Sequence, residues 1–110
     1  GYTAIEGMQG RPPHTKEDAD THGLTYLAVH LPTIRLFPLG SVIADAKQKG
    51  AKYVVVSGLL DWNKRTENDY RAATPSLNEA GEELQKHGLT LLYHNHEFEF
   101  EPQPSGVLGL

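Results

Sequence analysis

The chain has 110 residues and a formal net charge of −4, and 38% of its residues are hydrophobic and 22% are charged. This composition is typical of one globular domain or part of one, and the acidic balance without a Lys/Arg cluster argues against a nucleic-acid partner. No apolar run approaches the roughly 20 residues of a membrane-spanning helix, so we expect a soluble protein with no membrane partner. We expect a cytoplasmic location as a separate prediction. Because there is no cysteine, any metal would be held by His, Asp or Glu.

The sequence begins at Gly1 and not at a methionine, and its first residues already have the pattern of a strand. We therefore expect the N-terminus of the parent protein to lie upstream, where a signal peptide would leave no trace in this chain. Residues 1–110 are predicted to form one domain or part of one.

The first predicted strand covers residues 2–6 and ends in the carboxylate of Glu6. Thr15 followed by Asp18 has the spacing of a capping box, which predicts a short helix that ends at His22. This helix would carry the chain back to the start of a second strand.

The second predicted strand covers residues 24–30, and the helix after it has apolar residues at i, i+3, i+4 and i+7 on one face. Those residues are Leu39, Val42, Ile43 and Ala46. The third strand, residues 51–57, contains three consecutive valines, as expected for a strand that is covered on both faces.

A third helix is predicted to begin at Thr74 and Pro75, an N-cap and a first-turn proline, with residues 67–73 as a preceding turn. The fourth strand is predicted at residues 89–96. Glycines precede the last three strands, at Gly23, Gly50 and Gly88. Each fits the position just past a helix, where the backbone is left-handed and a Cβ would clash.

Strands that alternate with helices predict an α/β fold with a parallel sheet and right-handed crossovers. The carboxyl ends of parallel strands share one side of the sheet, and ligands and catalysis gather there. The polar residues at these ends are the candidate site residues. They are Glu6, His30, Ser57, His94, Asn95, His96 and Glu97.

The segment from His94 to Glu97 is the densest group of candidates. His94 and His96 are two residues apart and would share one face of a strand, whereas Glu97, Glu99 and Glu101 would take the other face unless a bulge re-aims them. Such a group could supply metal ligands, a proton-transfer group and an amide that binds hydroxyls. The alternative is that these side chains hydrogen-bond loops at the rim of the sheet.

Three further residues have both a functional and a structural interpretation. His30 ends an apolar strand and could face a ligand or bond the backbone at the rim. Glu6 needs a cation, a metal or a substrate hydroxyl as a partner if it is buried. Trp62 could form the wall of a sugar pocket or pack a loop.

The octapeptide YHNHEFEF at residues 93–100 resembles a segment of the sugar phosphate isomerase/epimerase superfamily, which has xylose-isomerase-like (β/α)8 barrels and includes inosose dehydratase-like proteins. Residues 1–6 are similar to its second strand, residues 22–30 to its third, and residues 43–56 to the next helix and the fourth strand. The resemblance spans nearly the whole chain and implies strands 2 to 5, or about half, of a TIM barrel.

The resemblance implies isomerisation, epimerisation or dehydration of a sugar or cyclitol by proton transfer beside a carbonyl. A divalent metal such as Mn, Co, Zn or Mg would polarise the substrate oxygens. On this basis Glu6 and His94 are the predicted catalytic residues, and His94 and Glu97 are the predicted metal ligands. The predicted substrate-binding residues are His30, Trp62, Asn95 and His96.

Many relatives in the superfamily have a metal-binding Glu where this chain has His94, and their other ligands and second carboxylate come from later strands. A full barrel has eight strands and about 250 residues. The chain would therefore be a fragment, an incompletely recorded chain, or a half barrel that self-association completes. For the 110-residue chain alone we expect little or no turnover. The alternative fold is a four-stranded open sheet of flavodoxin type.

Two other functions are compatible with the sequence: a non-catalytic sugar-binding or assembly module, and an endonuclease-like relative on the same barrel. The acidic charge disfavours the endonuclease. The sequence has no Gly-Lys-Ser/Thr phosphate loop, no Gly-x-Gly-x-x-Gly after a strand and no Gly-x-Ser-x-Gly elbow. NTPases, dinucleotide enzymes and serine hydrolases are therefore disfavoured.

Overall fold

A computed structural model describes residues 1–9, 15–33, 38–59, 63 and 65–109. Within these residues four strands alternate with three α-helices, and a short 3-10 helix follows the last strand. In chain order the elements are β1 Ala4–Met8, α1 Lys16–Thr21, β2 Thr25–Leu31, α2 Leu39–Lys49, β3 Tyr53–Val56, α3 Glu67–Lys86, β4 Thr90–Tyr93 and the 3-10 helix Glu97–Phe100.

The four strands form one sheet in the order β1-β2-β3-β4, and every pair is parallel. All three described α-helices contribute to one apolar cluster on a single face of this sheet. The cluster contains Ala19, Leu39, Val42, Ala46, Ala73, Ala80 and Leu84 from the helices and Tyr26, Val29, Leu31, Val54 and Val56 from the strands. Sequential order with one-sided helices is the arrangement of half a (β/α)8 barrel, because a doubly wound sheet carries helices on both faces. The predicted α/β half barrel is confirmed, and the flavodoxin-type alternative is wrong.

The predicted helix signals of α1 and the three glycines are confirmed. Asp18 donates its backbone N–H to the Thr15 side chain at 3.1 Å and accepts from the Thr15 backbone N–H at 2.8 Å, which completes a capping box. Gly23, Gly50 and Gly88 have φ values of 66°, 70° and 75°, in the left-handed region that favours glycine.

Helix α3 begins at Glu67, so the prediction of a turn at residues 67–73 and a start at Thr74 is wrong. Thr66 is the N-cap, and it forms a capping box with Asp69. The Thr74 hydroxyl instead donates to the Tyr70 carbonyl one turn back, at 3.0 Å. Pro75 lies inside the helix because capping at Thr66 and packing of the helix on the sheet outweigh one lost N–H donor.

The bounds of all four predicted strands differ from the structure by one to three residues, and two of these differences affect the candidate site. β1 continues to Met8, so Glu6 lies within the strand and not at its end. β4 ends at Tyr93 and not at residue 96, because the chain turns into a 3-10 helix at Glu97. The predicted strand parity of Glu97 and Glu99 therefore does not apply.

β2 has one extra residue relative to β1. Ile5 pairs with Tyr26 while Glu6 pairs with Ala28, so the register shifts at Leu27. Such a bulge reverses the alternation of side chains. Tyr26 packs in the core before the shift and Val29 packs there after it, so His30 takes the opposite face.

We call this opposite face the inner face of the sheet. It also carries Val55 and Leu92, which alternate with core residues along β3 and β4. Leu92 is 42% exposed, since the described half of a barrel leaves its interior open. Within the part of the chain that the structure describes, no helix is both long and apolar enough to cross a bilayer.

We predict that Gly7→Ala destabilises the fold. A Cβ at Gly7 would overlap the Tyr26 hydroxyl and lie 2.9 Å from the Tyr26 Cζ atom. Overpacking of this kind costs about 1–3 kcal/mol, which urea unfolding would measure.

Gly40→Ala is the matched control, because a Cβ there meets no atom within 4 Å and the residue lies in α2. We expect it to be neutral or stabilising, by up to about 1 kcal/mol. Tyr26→Phe in the Gly7→Ala background should recover part of the loss. Equal stability of Gly7→Ala and the unchanged chain would contradict the packing described here.

Candidate functional site

Glu6 and His30 meet on the inner face, across the β1–β2 pair. The Glu6 Oε1 atom lies 3.5 Å from the His30 Nδ1 atom. The Glu6 side chain is 54% exposed and the His30 side chain is 14% exposed. The carboxylate is therefore open to a ligand, while the imidazole behind it is restricted to a narrow range of positions.

His94 and His96 continue this group across the sheet. The His30 and His94 rings have centroids 5.4 Å apart, and the His94 and His96 rings have centroids 4.9 Å apart. His94 is held at the end of β4 because its backbone N–H donates to the Val56 carbonyl at 2.8 Å. His94 and His96 lie after the end of β4, so the predicted sharing of one strand face does not apply to them, although their rings are neighbours. We call Glu6, His30, His94 and His96 the inner-face cluster.

An aromatic and a cationic side chain extend the row of rings beyond His96. The Phe98 ring stacks on His96 with centroids 5.1 Å apart and an interplanar angle of 9°. The Arg65 guanidinium carbon lies 3.6 Å from the centroid of Phe98, a distance typical of a cation–π contact. The His96 ring thus has two neighbouring rings, those of His94 and Phe98.

A buried carboxylate lies beside His96. The Glu99 side chain is fully buried, and its Oε1 atom accepts a hydrogen bond from the Tyr93 hydroxyl at 2.7 Å. Its Oε2 atom accepts from the His96 backbone N–H at 2.6 Å. Burial raises the pKa of the Tyr93 phenol, and the hydrogen bond to Glu99 raises this pKa further. Tyr93 is therefore a hydrogen-bond donor at neutral pH.

The other candidate residues lie at the edge of this group or elsewhere. Asn95 is exposed between the two histidines, and Glu97 is exposed in the first turn of the 3-10 helix. Ser57 donates its hydroxyl to the Leu31 carbonyl at 3.4 Å, which is the structural role of a rim residue. Trp62 lies outside the described residues.

The described residues supply only part of the ligand set that a metal ion needs. Within the described ranges there is no group of three or more His, Asp or Glu side chains placed to hold a metal ion. His94 and Glu97, the predicted ligands, could supply one imidazole and one carboxylate. These are donors that first-row divalent metals accept, but they form only part of a ligand set.

A separate groove of about 420 Å³ lies between α3 and β4. Its lining residues are Leu77, Asn78, Gly81, Glu82, Gln85, Leu91, Leu92 and Tyr93. The groove follows the edge of the sheet where a further strand of a barrel would pair with β4. Among its lining residues, the titratable groups are Glu82 and Tyr93. The imidazoles and the exposed carboxylate of the inner-face cluster are better placed for chemistry than this groove.

Sequence analysis assigned no individual role in the site to Tyr93, Glu99, Arg65 or Phe98. The alternation of glutamate and phenylalanine at residues 97–100 is typical of a strand, and it concealed the turn. A signal was present in the spacing of His96 and Glu99, since an acidic residue three positions after a helix start is typical of a capping box. Histidine is an uncommon N-cap, so this signal was weak.

No protein-family model matches the chain, and no curated protein matches it either. Among solved structures, the chain is similar to a sugar phosphate isomerase/epimerase from Parabacteroides distasonis, with a TM-score of 0.75 and 23% sequence identity. The similarity covers 99% of this chain and 49% of that structure, so this chain spans about half the length of its neighbour. At this identity the likeness establishes the fold, which is that of a partial TIM barrel.

We predict that Tyr93 ionises well above the ordinary tyrosine pKa of about 10 in a spectroscopic alkaline titration. A raised pKa in the folded chain means that the contribution of Tyr93 to stability is complete below that ordinary value. The contribution is then lost as the pH rises toward the pKa of the folded chain.

Tyr93→Phe should therefore lower the free energy of unfolding by about 1–3 kcal/mol at neutral pH. The difference between the variant and the unchanged chain should shrink in alkali. Urea unfolding at several pH values would measure both effects, and a difference that stays constant with pH would contradict the bond to Glu99.

Proposed function

We propose that the chain forms part of the active site of an isomerase, epimerase or dehydratase that acts on a sugar or cyclitol by proton transfer beside a carbonyl. The observation that carries this proposal is the inner-face cluster, in which one exposed carboxylate and three imidazoles meet toward the carboxyl ends of parallel strands. Ligands of barrel enzymes bind at this end. The similarity in fold to a sugar phosphate isomerase/epimerase supports the same reaction class.

In this proposal Glu6 takes a proton from the carbon beside the substrate carbonyl and returns it. His30, 3.5 Å from Glu6, orients the carboxylate and stabilises its charge when the imidazole is protonated. His94 and His96 bind substrate oxygens, and His94 exchanges a proton with one of them when it does not hold the metal. The exposed amide of Asn95 binds a hydroxyl group.

A divalent metal such as Mn, Co, Zn or Mg is part of the proposal, with His94 and Glu97 among its ligands. When bound, it would polarise substrate oxygens. Because the described residues supply an incomplete ligand set, the other ligands would come from further strands of the barrel. A second carboxylate for epimerisation would come from the same strands, either of a longer chain or of a second copy.

The second candidate is a non-catalytic sugar-binding or assembly module on the same scaffold. It is favoured by one observation, namely that the inner-face cluster contains a single carboxylate, Glu6. Proton removal and return on opposite faces of a carbon needs two groups. Both the enzyme and a sugar-binding module require that the cluster binds a polyhydroxy compound, whereas an assembly module does not.

We predict that His94→Ala and His96→Ala each weaken binding of a ketose or cyclitol by about tenfold or more, because each removes a hydrogen bond to a substrate oxygen. Calorimetric titration with D-fructose and myo-inositol would measure the affinities. His22→Ala is the matched control, since His22 is the C-cap of α1 at the opposite end of the sheet. Equal losses in all three variants, or affinities unchanged by His94→Ala and His96→Ala, would contradict the proposed site.

Titration with Mn²⁺, Co²⁺ or Zn²⁺ separates the two candidates. If the enzyme proposal is right, the chain binds metal weakly, and His94→Ala abolishes that binding. Absence of metal binding together with intact sugar binding would favour the module. Robust metal-dependent epimerisation by the 110-residue chain alone would contradict our view that further strands are needed.

A further inference from the structure

We infer that Glu99 is a positioning residue, whose buried carboxylate ties the end of β4 to His96 and holds the His96 backbone and ring in the inner-face cluster. The importance of His96 to a substrate rests on the function proposed above. The positioning of His96 by Glu99 does not depend on that function and can be measured without a substrate.

The complete burial of Glu99 supports a positioning role. Glu99 and Lys49 are the buried charged residues of the described chain, and Lys49 has the Asp45 carboxylate 2.9 Å away. A buried carboxylate costs free energy unless hydrogen bonds compensate its desolvation. Capping a helix does not require this cost, because Asp18 has the equivalent position in the capping box of α1 and is exposed.

The two carboxylate oxygens of Glu99 accept hydrogen bonds from two different parts of the chain. Tyr93, the last residue of β4, donates to Oε1, and the His96 backbone N–H donates to Oε2. The segment between them is therefore closed into a loop whose ends are the sheet and the 3-10 helix. The Oε2 atom also lies 3.9 Å from the His96 Nδ1 atom, so the same carboxylate faces the ring.

The His96 ring stacks on a residue of the same 3-10 helix that contains Glu99. The His94 and His96 ring centroids are 4.9 Å apart, and Phe98 stacks on the His96 ring. Phe98 precedes Glu99 in the 3-10 helix. Any rotation of that helix would move Phe98 relative to His96. Anchoring Glu99 to Tyr93 prevents this rotation, and it thereby fixes both the backbone and the stacking partner of His96.

The test uses Glu99→Gln and Tyr93→Phe in the full chain, with Asp18→Asn as the matched control in another capping box. Glu99→Gln keeps the size of the side chain but replaces one acceptor oxygen with an amide donor. Tyr93→Phe keeps the carboxylate and its bond to His96 but removes the tie to β4. NMR would record the His96 ring resonances, the proximity of His96 to Phe98, and amide hydrogen exchange.

We expect about tenfold faster exchange at the His96 amide and a loss of His96–Phe98 proximity in both site variants. The core methyl resonances of Val29 and Val54 should be retained. Asp18→Asn should leave His96 unchanged. An unaltered His96 in both site variants would overturn the inference. So would retention of the His96–Phe98 proximity together with a loss of protection spread evenly over the core, because Glu99 would then stabilise the whole fold and not position His96.

Sugar titration of the same variants distinguishes this inference from the proposed function. If the unchanged chain binds D-fructose or myo-inositol, Glu99→Gln should weaken binding to nearly the extent of His96→Ala. The double variant should then be little weaker than His96→Ala alone, because one residue acts through the other. Independent, additive losses would overturn the inference. Failure of the unchanged chain to bind either sugar would count against the proposed function, while the His96 resonances would still decide the role of Glu99.

Discussion

The extra residue in β2 determines which residues of that strand face the core and which face the inner side of the sheet. Before the register shift Tyr26 packs under the helices, and after it Val29 and Leu31 do so, which leaves His30 on the inner face. His30 can therefore approach both Glu6 and the first histidine after β4. Without the bulge, strand alternation would place His30 on the side of Tyr26, among apolar side chains, where an imidazole would be costly to bury.

Local signals in the sequence were sufficient for most of the fold. Capping-box spacing at Thr15 and glycines at the left-handed positions depend on a few neighbouring residues, so they could be recognised without tertiary information. Thr66 and Thr74 are both residues that suit an N-cap, so the sequence allows two starts for α3. Packing of the helix on the sheet favours the start after Thr66. The bulge at Leu27 could not be predicted, because it exists only in the pairing of β2 with β1.

The candidate site, like the fold, could be predicted from the sequence only in part. The rule that ligands gather at the carboxyl ends of parallel strands selected His30, His94 and His96 as candidates from their sequence positions alone. Glu6 was selected by the same rule, but β1 continues past it to Met8. The rule could not identify Glu99, because a buried carboxylate and its partner Tyr93 become neighbours only when the chain turns after β4. The roles of the cluster residues are proposals. The half barrel itself, about half of its structural neighbour in length, is the part that the structure establishes.

The most direct test of the proposed site is an NMR chemical-shift map of the isotope-labelled chain titrated with D-fructose. We expect saturable shifts at Glu6, His30, His94 and His96, and no shifts at His22 and His87 near the amino ends of the strands. Shifts confined to the groove between α3 and β4, around Leu77 and Gly81, would contradict the proposed site. So would shifts at the amino ends alone, since no carboxyl-end site would then be engaged.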